Sequence, residues 1–178
     1  MAEEDRLVRF HLGQETDHRG RYLFDIQRWP DNKLETVHDY IQWLFPLPER
    51  SGFNLAAPVL TAESIQEFRT RTELQQNLRV SFLRMMSFYG LEARLAEAIT
   101  VTRSSSFAVR SAGWLSASNH HHLRITRILR CLSVLGLEAE AKAFFECLAE
   151  IHEEERSKPA PAISDETFEY WRAAATEL

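Results

Sequence analysis

The sequence has little of what usually announces a chemistry. Its 178 residues include only two cysteines, Cys131 and Cys147, in no CxxC or framework spacing. That excludes a disulfide scaffold and predicts reduced thiols in a reducing compartment, packed as apolar fillers rather than acting as nucleophiles. The six glycines, at 13, 20, 52, 90, 113 and 136, stand too far apart for a GxGxxG motif or a P-loop, which removes the backbone cradles that hold phosphates. There is no GxSxG and no HExxH. No apolar run approaches 18 residues, so a membrane-spanning helix is not expected, and Met1-Ala2-Glu3-Glu4-Asp5 is acidic where a secretory leader is basic and then apolar. Charge of one sign is also scarce, with 21 Lys and Arg against 26 Asp and Glu for a net charge of -5. A general affinity for nucleic acid or anionic lipid is therefore not expected. The physical default is a soluble cytoplasmic protein without cofactor, metal or nucleic-acid partner.

What is present is an ordinary globular composition, 44% hydrophobic and 26% charged. A chain of this length buries roughly 70% of the surface its unfolded form exposes, and so folds without disulfides or a structural metal. Apolar residues recur at three- and four-residue intervals, which predicts an all-α fold: a single compact helical domain of about seven or eight helices over residues 1–178. After a short apolar stretch at 22–29, a capping box at Asn32 and Glu35 predicts one helix carrying Leu34, Val37, Ile41 and Leu44 until Pro46 ends it. A loop at 47–60 follows, packed down through Phe53, Leu55 and Leu60. Thr61 and the box at Thr70 and Glu73 predict a short helix and then a longer one over 71–89, stopped by Gly90. The segment 91–99 reads as a weaker helix, and Ser104, Ser105 and Ser106 as a flexible loop. Ser118 or Asn119 caps the most regular helix, with Ile125, Ile128, Leu129, Leu132 and Leu135 inward and Gly136 at its end. A helix over 137–151 pairs with it, Glu153, Glu154 and Glu155 read as a solvated helix end, and 157–163 is a linker to a docking helix over 165–177 that uses Phe168, Trp171 and Ala175.

Two constellations could carry chemistry. His120, Arg124, Arg127 and Cys131 follow one helical line, so the two guanidinium forks can receive a carboxylate or phosphate, or instead pair with carboxylates of a neighbouring helix. In His38-Asp39-Tyr40-Ile41-Gln42-Trp43, the helical neighbours His38 and Gln42 lie beside aromatic rings. The result is either a ligand slot or a core helix whose Tyr and Trp find buried partners. His120, His121 and His122 project about 100° apart on a helix, which predicts one packed and two exposed rings rather than a metal site.

The string from His38 to Leu47, followed by Ser51, Phe53-Asn54 and Pro58, resembles the signature of the opioid growth factor receptor conserved-domain family. Asn119-His120-His121-His122-Leu123-Arg124-Ile125-Thr126-Arg127-Ile128-Leu129 is similar to that family's second hallmark, and Met85-Met86-Ser87-Phe88-Tyr89-Gly90 fits the end of its middle helix. His121 and His122 stand where the pattern has Asn and Tyr. The resemblance is strongest over 22–148 and has the look of a minimal, domain-only member. It implies a helical domain that binds a peptide, Met-enkephalin in the animal receptor, without catalysis, at a nuclear or membrane-associated location. Carried onto matching positions, the ligand-binding residues are His38, Tyr40, Gln42 and Trp43 from the first hallmark and His120, Arg124 and Arg127 from the second. The ligand is a peptide or small anion. The alternatives are a scaffold with a protein partner, or an enzyme working between the hallmark helices. The receptor reading requires those two helices to abut and leave a recess.

Overall fold

A computed structural model describes residues 5–176, which form two compact units, one up to Phe82 and one from Leu83 onward. The fold is mostly helical, as the three- and four-residue period predicts. Ten α-helices occur among the described residues, together with one 3-10 turn and one hairpin of two short strands.

The first unit opens with α1 (Arg6–His11), capped by the Asp5 carboxylate, which accepts from the Leu7 amide at 2.7 Å. Next come α2 (Leu23–Gln27), α3 (Asp31–Thr36), α4 (Ile41–Leu44) and α5 (Ala62–Thr70). Thr61 and Ser64 form a reciprocal capping box at the start of α5, which satisfies amides that a helix start otherwise leaves open. The break between Thr70 and α6 (Thr72–Tyr89) lies within a residue of the predicted one, but Thr70 closes α5, its hydroxyl donating to the Gln66 carbonyl at 2.8 Å, and does not cap α6. Leu74, Leu78 and Phe82 are fully buried on one face of α6, beside a core that includes Phe10, Leu23, Leu34 and Phe68. Polar ties fix the helices against each other: Gln27 donates to the Asn77 carbonyl and to Ser81, and Asn77 donates to the His11 carbonyl at 2.7 Å.

Two expectations fail in this unit. The single helix predicted from Asn32 to Leu44 is two short ones. Val37 is extended (ψ 134°) and Pro30, not Asn32, stands at the N-cap position. His38 and Gln42 therefore do not share a helical face. The cause is tertiary, since both the carboxylate and the carbonyl of Asp39 are bound by other segments, as set out below. Nor does the 47–60 loop pack through all its apolar residues. Leu60 is buried, whereas Phe53 is 84% exposed and Leu55 69%. Asn54, between them, turns inward to donate to the Asp39 carbonyl at 3.0 Å, which sends its two neighbours outward.

In the second unit the segment read as a weak helix is instead β1 (Leu91–Leu95), antiparallel to β2 (Ile99–Arg103), with Leu91 opposite Arg103 and Leu95 opposite Ile99. The β-branched run Ile99, Thr100, Val101 and Thr102 favours the pleat, and Val101 turns into the core. Gly90 enters the hairpin at φ +79°, and a Cβ there would lie 2.9 Å from the Phe107 Cα, so no side chain fits that position. The serine segment is not a free loop. Ser104 donates to the Gly90 carbonyl at 2.8 Å and accepts from the Ser106 amide, leading into α7 (Phe107–Arg110) and the turn Ser111–Gly113.

Three helices complete the unit: α8 (His120–Val134), α9 (Glu138–Arg156) and α10 (Asp165–Thr176), which pack on one another, with β2 against α9. Residue 177 of the predicted docking helix lies outside the described residues. The five apolar residues predicted for α8 are all fully buried. On α10 the inward alanine is Ala174 rather than Ala175, beside Phe168 and Trp171. Glu155 is not solvated. It is 4% exposed, accepts from the Ala162 amide at 3.1 Å and pairs with Lys158, so it ties the linker down.

Candidate functional site

The first hallmark is built around Trp43, which is fully buried on the short α4. Its indole N–H donates to Nδ1 of His18 at 3.0 Å, and the two rings stack at 5.9 Å between centroids. His11 Nε2 donates to the Trp43 carbonyl at 2.8 Å, Phe10 meets the indole edge-on, and the Arg6 guanidinium lies 5.1 Å from the ring centroid. Because His18 accepts at Nδ1, its proton is on Nε2, which faces the Asp39 carboxylate at 3.4 Å.

Asp39 is the electrostatic centre. Its carboxylate accepts from Arg21 at 2.9 Å and from Arg19 at 3.2 Å. Partial burial works to raise its pKa, but the hydrogen bond and charge of Arg21, the hydrogen bond of Arg19 and the charge of His18 outweigh it and hold the carboxyl below the usual carboxylate range. Arg21 also binds Asp17 at 2.6 Å, whose side chain is fully buried and whose other oxygen accepts from the amides of Arg19 and Arg21. Tyr40 is fully buried, and its hydroxyl donates to the Leu34 carbonyl at 2.9 Å. Gln42 is buried, while His38 is exposed.

The second hallmark is the first half of α8. The Asn119 side chain caps it by accepting from the His121 amide at 2.9 Å. His120 is exposed, but His121 and His122 are both buried, so two histidines pack rather than one. His121 lies against Phe88 and Tyr89, and its ring is only 4.1 Å from that of His120, closer than helical projection suggests. His122 Nε2 donates to the Trp114 carbonyl at 3.0 Å, while its own carbonyl accepts from the Trp171 indole at 3.1 Å. Burial lowers the His122 pKa; its Trp114 bond opposes that shift and the charge of His120 adds to it.

Arg124 is 6% exposed and Arg127 is half-buried on the same line, which ends at the fully buried Cys131. Burial pushes the Cys131 thiol up, only partly offset by the Arg127 charge, and burial with Glu150 pushes Cys147 up to about 11. Both thiols are protonated near neutrality, the state of packing residues rather than nucleophiles.

Sequence reasoning missed the partners of the first hallmark, His11, His18, Arg19 and Arg21. The one local signal was the charge alternation Asp17-His18-Arg19-Gly20-Arg21 around a glycine turn.

The model of the opioid growth factor receptor conserved region matches residues 22–177. The chain belongs to the opioid growth factor receptor family. It is similar to the opioid growth factor receptor of Homo sapiens, 41% identical over 122 residues, which is 67% of this chain and 18% of that protein. It is similar also to the opioid growth factor receptor-like protein 1 of Mus musculus, 33% identical over 155 residues, 85% of this chain and 32% of the relative. The chain thus spans about a fifth to a third of the length of the curated family members it matches. No solved structure matches it. Among the described residues no helix is long and apolar enough to cross a membrane.

Proposed function

We propose that this chain is a non-enzymatic binding protein of the opioid growth factor receptor family, whose ligand is a peptide or small anionic molecule. The observation that carries the reading is α8, which has three arginines, three histidines and no acidic residue in a chain of net charge -5. Arg127 on that helix is half-buried. A guanidinium can take a carboxylate in two parallel hydrogen bonds, and a free peptide carries one such carboxylate. The family members compared above are named a receptor and a receptor-like protein, which favours recognition over turnover. The ligand-binding residues of this reading are His120, Arg124 and Arg127 on α8, in a soluble cytoplasmic protein.

The test is calorimetric titration of Tyr-Gly-Gly-Phe-Met, the pentapeptide that the resemblance implies. The chain is expected to bind it saturably. Arg127→Ala is expected to weaken binding at least tenfold, since a charge-assisted hydrogen bond contributes about 1.5 to 3 kcal/mol. Flat heats for the wild type reject the reading.

Burial favours a second reading. Tyr40 and Trp43 are fully buried and Arg124 is 6% exposed, as befits a scaffold whose hallmarks are packing surfaces and whose partner is another protein. In that case Arg124→Ala lowers the melting temperature and changes no ligand affinity.

A further inference from the structure

The hairpin of the second unit has an open edge. β2 lies against α9, where Val101 is buried and Arg103 donates to Glu154 at 2.7 Å. β1 lies on the outer side, and among the described residues its main chain is paired with β2 and with no other segment. An edge strand of this kind offers a row of unmet amides and carbonyls to another chain.

The members of that row follow from the register. The Ser104 amide donates to the Gly90 carbonyl at 3.0 Å, in line with Leu91 opposite Arg103. Hydrogen-bonded pairs alternate along an antiparallel ladder, so the next ones are Glu92 with Thr102 and Arg94 with Thr100. The amides and carbonyls of Leu91, Ala93 and Leu95 therefore point away from β2. The side chains of Glu92 and Arg94 are exposed on one face, with Arg94 Nε 3.2 Å from a Glu92 carboxylate oxygen. On the other face Leu91 is buried, whereas Leu95 is 39% exposed.

Read in reverse, Leu91-Glu92-Ala93-Arg94-Leu95 complements itself. We infer that β1 pairs antiparallel with β1 of a second copy of this chain, about a two-fold axis at Ala93, so that the two hairpins form one continuous sheet. Ala93 then faces its own counterpart and Leu91 faces Leu95, each through the outward main-chain groups. Glu92 stands opposite Arg94 at both crossings, in the non-hydrogen-bonded pairs whose side chains approach most closely. A slip of two residues either way, the smallest that keeps the outward groups paired, sets Glu92 against Glu92 or Arg94 against Arg94. Like charges directly opposite are destabilising, so the charges select this one register and a second copy as the occupant. Five residues a side make an interface below about 1,200 Å², in the range of weak, reversible association.

The experiment is sedimentation equilibrium of the full chain from about 10 μM to about 1 mM, where a reversible dimer of this size is expected to appear. Glu92→Arg alone and Arg94→Glu alone each put like charges at both crossings, and each is expected to lower the association constant about tenfold. Mixed in equal amounts, the two variants restore opposite charges at both crossings and should associate as the wild type does, which neither an ion pair within one chain nor an interface elsewhere would produce. A wild type that stays monomeric across the range overturns the inference. So does a dimer that neither reversal weakens, or a pair of variants that fail to associate when mixed.

Discussion

The two hallmark segments are rich in the same residue types yet are held in opposite ways. The first is broken into the six-residue α3 and the four-residue α4, too short to stand alone. What fixes it comes from far back in the chain: Trp43 is bonded to His18 and His11, 25 and 32 positions away, and Asp39 to Arg21, 18 away. The second lies on the fifteen-residue α8, whose start is capped from one residue before it and whose apolar stripe is fully buried. A segment organised by distant partners has its polar groups consumed by the fold. A segment organised by its own period buries one face and carries its basic row beside it.

Mutation can break this contrast, and Trp43→Ala should do so most severely. Removing a fully buried indole together with its bond to His18 is expected to cost ~3–5 kcal/mol in denaturant unfolding. Next comes acid. His11 is fully buried, and desolvation lowers its pKa from 6.5 to about 4, against the opposing bond to the Trp43 carbonyl. Between those values the unfolded chain binds a proton that the folded chain does not, so stability is lost as pH falls from 6.5 toward 4. The full loss below that window is ~3 kcal/mol. Asp39 and His122 also have lowered values and lose stability in the same direction. The gap between wild type and His11→Gln should therefore be measured, and it should narrow on acidification.

Asp39→Asn, which weakens the contacts to His18, Arg19 and Arg21, should cost ~1–2 kcal/mol, because the site is partly solvated. The smallest effect is expected from Phe53→Ser. That ring is 84% exposed, so unfolding should change by less than ~0.5 kcal/mol.

The same contrast explains what could be read from the sequence. The caps at Thr61 and Asn119, the inward faces of α6 and α8 and the stop at Gly90 are local features, and all are legible in spacing. The break at Val37 was not legible, because it depends on Arg21 and Asn54 binding Asp39 from both sides of the sequence. The strands at 91–103 were hidden by their brevity and by the helix-forming Glu92, Ala93, Arg94 and Leu95, a propensity that pairing with a β-branched strand overrides. For the candidate site, residue identity was readable but environment was not. Nothing in the spacing distinguishes the buried Arg124 from the half-buried Arg127, or the exposed His120 from the buried His121.

The central claim is that Trp43 and Asp39 of the first segment are closed by their own partners, while α8 holds a cationic row for recognition. A proton–nitrogen correlation spectrum recorded during addition of Tyr-Gly-Gly-Phe-Met tests it most directly. The side-chain signal of Arg127 should move, while the indole signals of Trp43 and Trp171, held by His18 and the His122 carbonyl, should stay in place. A shifted Trp43 indole beside a stationary Arg127 signal, or a spectrum that does not change, would contradict it.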